Sequence, residues 1–107
     1  MSVISGIVNG RPYTENEGHV DKELLSDYEE EYRELVLAWI KENIKPARQA
    51  HKKSSYGLKH YLTKDTGLYL TNNAFKDAML IAGYFPVDAS ELNWHYRIKF
   101  DRKDFAF

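Results

Sequence analysis

Residues 54–83 constrain this chain more than any other stretch, because they contain two helical patterns with start and stop signals separated by a link too short to fold alone. Ser54 or Ser55 supplies the side-chain oxygen that a helix start requires, and Leu58, Tyr61 and Leu62 follow at helical steps. Gly67 stands where a left-handed glycine closes a helix. Gly57 weakens the first turn by about 1 kcal/mol relative to alanine if it is interior. Residues 68–71 suit an extended link or a small strand. Asn72 or Asn73 can cap the second helix, whose Phe75, Ala78, Met79 and Ala82 share a face up to Gly83. Each of these faces needs an apolar partner.

The partner is a helix predicted over 21–43, within an acidic segment 21–45. Leu24, Leu25, Tyr28, Tyr32, Leu35, Val36, Trp39, Ile40 and Ile44 recur at three- and four-residue steps, and Pro46 ends the pattern. Residues 47–53 are basic and are expected to continue as a short helical segment after the proline. Near the C-terminus Trp94, Tyr96, Ile98 and Phe100 alternate with His95, Arg97 and Lys99. That period of two marks a half-buried strand, which could pair with 68–71 or with the N-terminal segment. Asn9-Gly10 is a strong hairpin signal within 1–20, an arm or hairpin whose second limb, 11–14, carries Pro12 and reads as an edge strand or loose arm. Phe105 and Phe107 are candidates to dock behind the strand. The expectation is a mainly helical α+β single domain over 1–107. It has three main helices and a small antiparallel sheet from the N-terminal hairpin, the C-terminal strand or both, winged-helix-like in outline, with 46–100 as a basic helix, helix and strand unit.

At 107 residues, 43% of them apolar, the chain can bury one core without staples. It has no cysteine, which excludes disulfides, zinc–cysteine sites and thiol catalysis. No apolar run approaches a membrane span and no signal-peptide pattern opens the chain, so a cytoplasmic protein without membrane attachment is expected. The net charge of -1 hides a segregation. Residues 21–34 hold seven acids against Lys22 and Arg33, whereas 45–64 hold six bases and no acid.

No motif for nucleophilic, nucleotide-binding or zinc chemistry is present: Gly-x-Ser-x-Gly, the Walker loop, Gly-x-Gly-x-x-Gly and His-Glu-x-x-His are all missing. His19, His51, His60 and His95 are scattered, and the lysines around His51 and His60 would repel a cation. The expectation is a protein with no catalytic residues, no metal and no cofactor. Tyr56 and Tyr61 beside His60 read as packing residues, since the arginine set or metal pair of strand-transfer enzymes is lacking. The basic candidates for a nucleic-acid or nucleoprotein partner are Lys52, Lys53, Lys59 and Lys64 around the second helix, Lys76 on the third, and Arg97 and Lys99 on the strand. Their plain alternative is a solvated surface. Glu23, Asp27, Glu30 and Glu34 step by four, three and four, so on one continuous helix they would line a stripe opposite the apolar face. Such a stripe is ordinarily solvated, and its functional reading is a nucleic-acid mimic that inhibits a host defence nuclease in the manner of anti-CRISPR proteins.

Tyr56-Gly-Leu-Lys-His60, Thr66-Gly-Leu-Tyr69, Asn72-Asn-Ala-Phe-Lys76, Ala78-Met79, Ala82-Gly-Tyr84, Pro86 and Glu91-Leu-Asn-Trp-His95 together resemble a family of small uncharacterised proteins of bacterial phages and other mobile elements. The resemblance covers about the second half of the chain, from Ser54 to Ile98. It implies a phage or mobile-element setting and carries over no catalytic residue. A non-catalytic accessory protein that binds nucleic acid or a nucleoprotein through its basic surface is the function expected first.

Overall fold

Asn9 and Gly10 both take positive φ, 52° and 77°, as the two central residues of a type I′ turn must. They join β1 (Val3–Val8) to β2 (Arg11–Asn16) in register from Val8↔Arg11 to Val3↔Asn16. Glu17 and Gly18 repeat the geometry at 53° and 79° and lead into β3 (His19–Asp21). The result is a three-stranded sheet of order β1-β2-β3, so β2 is the central strand and not an edge. Pro12 is compatible with that place because the pair closing a two-residue turn is the hydrogen-bonded one. Pro12 therefore falls in the next, non-bonded pair with Ile7, and pairing to β3 begins only at Thr14. The computed structural model describes residues 2–102; Phe105 and Phe107 lie outside them.

The acidic segment does not form one helix. Asp21 ends β3, a 3-10 turn occupies Leu25–Asp27, and α1 runs only over Glu30–Asn43. Tertiary bonds override the periodicity: Asp21 Oδ2 accepts from the amide of Asn73 (2.9 Å) and Asp77 Oδ2 from that of Leu25 (2.9 Å), which ties 21–25 onto the third helix. Leu25 still enters the core, and the Tyr28 ring stacks on Tyr32 at 4.8 Å, so the apolar pattern is met without a helix.

Beyond Ile44 the chain extends as β4 (Lys45–Ala50), where a helical segment is expected from the sequence. A residue preceding proline is pushed out of the helical region, and no residue of this strand is buried, so nothing rewards another helical turn. α2 (Ser55–Thr66) has Ser54 at its N-cap position, though without the side-chain capping bond expected there, and Gly67 in the left-handed conformation at its end, as the sequence requires. α3 (Asn72–Ile81) is capped one residue earlier than expected, by Thr71, whose hydroxyl accepts from the Ala74 amide at 3.2 Å. β5 (Arg97–Lys99) pairs with β4, neither with 68–71 nor with the N-terminal sheet. Bonds from His51 N to Tyr96 O (2.9 Å) and from Ser55 N to Trp94 O (2.7 Å) continue the contact past the ladder.

One core unites these elements. Val36, Trp39, Ile40 and Ile44 of α1 and its cap meet Leu58, Tyr61 and Leu62 of α2, Phe75, Ala78 and Met79 of α3, and the alternating Trp94, Tyr96, Ile98 and Phe100. The fold is α+β, three helices with two small antiparallel sheets, and the radius of gyration of 13.1 Å is that of one domain of this length. α3 is buried on all sides from Asn73 to Met79. Its apolar face meets the core, and its polar face, Asn73, Lys76 and Asp77, meets the N-terminal sheet.

Candidate functional site

The polar face of α3 is the part of a helix-turn-helix outline that would read DNA, and here it is internal. Lys76 is fully buried; its Nζ donates to Thr14 Oγ1 (2.9 Å) and Ser5 Oγ (3.3 Å) and lies 4.7 Å from the Trp94 ring centre. Burial lowers its pKa to about 8, with Asp21 opposing at longer range. Asn73 accepts from Thr14 Oγ1 (2.7 Å), and Asp77 receives both Nε and Nη2 of Arg11 at 2.9 and 2.8 Å. Lys76 therefore has no place on a binding surface, which corrects its assignment from the sequence.

The remaining bases divide by environment. Lys59 is also buried, at 5% exposure, with its ammonium between the rings of Tyr56 and Tyr69. Burial lowers its pKa. Lys53 extends over the Tyr61 ring at 5.3 Å, and Lys64 is exposed in the last turn of α2. His60 meets Tyr56 edge-on at 4.5 Å; burial, then Lys59, lowers its pKa. Lys52, Arg97 and Lys99 are exposed.

Arg97 and Lys99 gain two companions through the pairing of β4 with β5. Lys45 stands directly opposite Lys99, and Arg97 opposite Ala50. Between Pro46 and Ala50 the register jumps while β5 advances only from Ile98 to Arg97, so 47–49 arch away without partners on β5 and present Arg48. Lys45, Arg48, Lys52, Arg97 and Lys99 thus populate one ribbon and its exit, all exposed. The one carboxylate bridged to this group among the described residues is Asp101, 3.7 Å from Lys99 with both side chains about two thirds exposed. Like charges directly opposite on two strands cost on the order of 0.2–1 kcal/mol. A bond from Lys45 Nζ to Lys41 O (2.7 Å) at the end of α1 offsets part of that. Lys45 and Arg48 were absent from the sequence-derived set. The signal for them was Pro46 with the lack of apolar periodicity after it, which marks a strand and so aligns 45 and 48 with 97 and 99.

The acidic set is not brought together as a stripe. Glu30 and Glu34 are exposed on α1, whereas Glu23 lies in the loop after β3 and Asp27 in the 3-10 turn. Glu23 accepts the Tyr28 hydroxyl at 2.5 Å, and Asp27 accepts the Leu24 amide at 3.0 Å. Two of the four carboxylates thus fasten the loop, and the four-three-four spacing loses its geometric meaning once the helix begins at Glu30.

Among the described residues no three histidine, aspartate or glutamate side chains converge as a metal site, and no helix is long and apolar enough to cross a membrane. Comparison with protein-family models, curated proteins and solved structures finds no match.

Proposed function

We propose that this protein binds nucleic acid, alone or within a nucleoprotein, through the basic β4–β5 ribbon, as a non-catalytic cytoplasmic accessory of a phage or mobile element. The observation that carries the reading is the Lys45–Lys99 cross-strand pair flanked by Arg48, Lys52 and Arg97. Isolated in water these charges repel one another; a phosphate backbone turns the same arrangement into attraction and releases counterions. An exposed ribbon face with an arched strand can follow a nucleic-acid backbone. The resemblance of the second half to mobile-element proteins supports the setting. The acidic-mimic alternative has no comparable support, because its carboxylates do not share a face.

The test is fluorescence anisotropy with labelled DNA and RNA over a salt series. If four or five of these bases meet phosphates, affinity falls about a hundredfold or more between 50 and 200 mM salt. Reversing Arg97 and Lys99 to glutamate, both exposed, reduces binding to duplex and single strand alike while the circular dichroism spectrum stays unchanged. Salt-independent binding, or full binding by that variant, excludes the ribbon.

A further inference from the structure

A second surface differs in kind from the ribbon. An open cleft of about 520 Å³ lies between β3 with its following loop and the N-terminal part of α2. Lys59 lines it. The residue is only 5% exposed, and among the described residues its ammonium makes no hydrogen bond or ion pair to a protein oxygen, Asp21 acting on it only at longer range. Its nearest groups are two aromatic faces, the Tyr69 ring centre at 4.8 Å and the Tyr56 ring centre at 5.2 Å. The ammonium of a stem held by packing thus sits over two ring faces at the cleft, beyond ion-pair reach of the Asp21 and Glu23 carboxylates that also line it.

The two rings are themselves unusual, at 60% exposed for Tyr69 and 52% for Tyr56, where aromatic side chains are ordinarily covered. Tyr69 is not loose. Its backbone N–H donates to the Tyr32 hydroxyl at 2.8 Å, and that hydroxyl donates to its carbonyl at 2.6 Å. The ring therefore stands on a fixed backbone. Flat apolar faces beside an unpaired ammonium match a ligand that combines a planar ring with an anionic oxygen.

The opposite wall narrows the class. Asp21 and Glu23 line the cleft, and each is engaged: Asp21 accepts the amides of Glu23 (3.3 Å) and Asn73 (2.9 Å), and Glu23 accepts the Tyr28 hydroxyl (2.5 Å). With Lys22 beside them, two acidic and two basic side chains line the cleft, a balance that disfavours a doubly charged phosphate and suits a singly charged phosphodiester on Lys59. A duplex keeps its bases stacked on one another and has no free face to give a tyrosine; a single strand does. We infer that the cleft is a subsite for one nucleotide of single-stranded nucleic acid, its phosphodiester on Lys59 and its base on the exposed Tyr69 ring, with Tyr56 holding the ammonium from the other side. This deepens the proposed nucleic-acid binding and rests on it.

The experiment compares a labelled twelve-residue thymidine strand, a duplex of equal length and free thymidine monophosphate as competitor, in the unaltered protein and three variants. Tyr69→Leu and Tyr56→Leu change exposed rings and leave the core alone. Tyr69→Leu weakens single-strand binding about tenfold and duplex binding by less than twofold, the loss of one base stack. Lys59→Met does the same with a shallower salt dependence, and the monophosphate dianion competes poorly. Because Lys59 is buried, the tyrosine variants decide the matter if that variant fails to fold. Wild-type single-strand affinity in both tyrosine variants overturns the subsite and, where glutamate at 97 and 99 still abolishes binding, leaves the ribbon reading intact. Equal losses for strand and duplex, or competition by the monophosphate as strong as by the strand, also overturn it. Binding of neither nucleic acid by the wild-type protein removes both proposals.

Discussion

Lys76 is a residue at which this fold accepts a local cost. With a folded pKa of about 8 against an ordinary 10.5, it is mostly charged at neutral pH although fully buried. Two hydroxyls and one indole face compensate where a carboxylate partner would be the usual solution. Below pH 8 both folded and unfolded chains hold the proton, and burial penalises the folded one in full. Between about 8 and 10.5 the unfolded chain retains a proton that the folded protein has released, so stability rises with pH. Above 10.0 the opposite effect enters, because unfolded tyrosines ionise while burial keeps Tyr28 and Tyr96 protonated. Thermal denaturation is therefore expected to give a melting temperature that climbs from pH 7 to a maximum near the tyrosine range and then falls. Lys76→Met is expected to melt higher at pH 7 and to lose the climb; it strands no hydroxyl, since Thr14 keeps Asn73 and Ser5 keeps the Ala89 carbonyl (2.7 Å). A flat wild-type profile from pH 7 to 9.5 would contradict the assignment. Tyr96 makes the complementary case. Its hydroxyl is buried with no partner among the described residues, so Tyr96→Phe is expected to be neutral or stabilising by up to about 1 kcal/mol in urea unfolding.

At the scale of elements, α3 decides the arrangement, because it presents an apolar face to the core and an ionic face to β2. The Arg11–Asp77 pair is the firmest link between them, bidentate, with the Asp77 side chain 1% exposed and its Oδ2 also bound by the Leu25 amide. Arg11→Met keeps most of the stem packing but leaves a buried carboxylate without its cation, and because the Arg11 side chain is 43% exposed and water can take part of its place, the change is expected to cost about 1–3 kcal/mol. Denaturant unfolding measures the loss, and amide exchange is expected to quicken first in β1 and β2, which the pair ties down. A loss below 1 kcal/mol would mean that the hairpin is held by its turns and apolar contacts instead. The same bonds explain why residues 21–29 depart from the helix that their periodicity predicts. Leu25, Tyr28 and Tyr32 are spaced correctly for a helix, but the carboxylates of Asp21 and Asp77 satisfy buried amides only if the chain bends across α3.

For the whole molecule the N-terminal sheet is a wall and not an appendage. A chain beginning at Lys22 would expose Asn73, Lys76 and Asp77 and is expected to lose cooperative unfolding and the protection of α3 amides, as calorimetry and hydrogen exchange would register; a cooperative transition in that truncation would show that α1, α2 and α3 suffice. Much of the architecture was legible beforehand. The Asn9-Gly10 turn, the Ser54 and Gly67 ends of α2, the apolar faces of the helices and the alternation of 94–100 each rest on local sterics or on one buried face, and local rules read such features directly. The basic surface was legible only in part: Arg97 and Lys99 followed from alternation, while Lys45 and Arg48 joined them through a strand pairing between distant parts of the sequence, and the Lys59 cleft required Tyr56 and Tyr69 to converge on one ammonium. By itself the sequence determined α2, α3, the body of α1, the first hairpin and the alternation of 94–100, because those depend on neighbours within a few residues, whereas 21–29 and 47–50 read as helical from the sequence and fold otherwise. Only the tertiary structure decided that α3 points its charges inward, that the acidic run bends and that β4 pairs with β5, because each of those is settled by which distant group satisfies a buried polar atom.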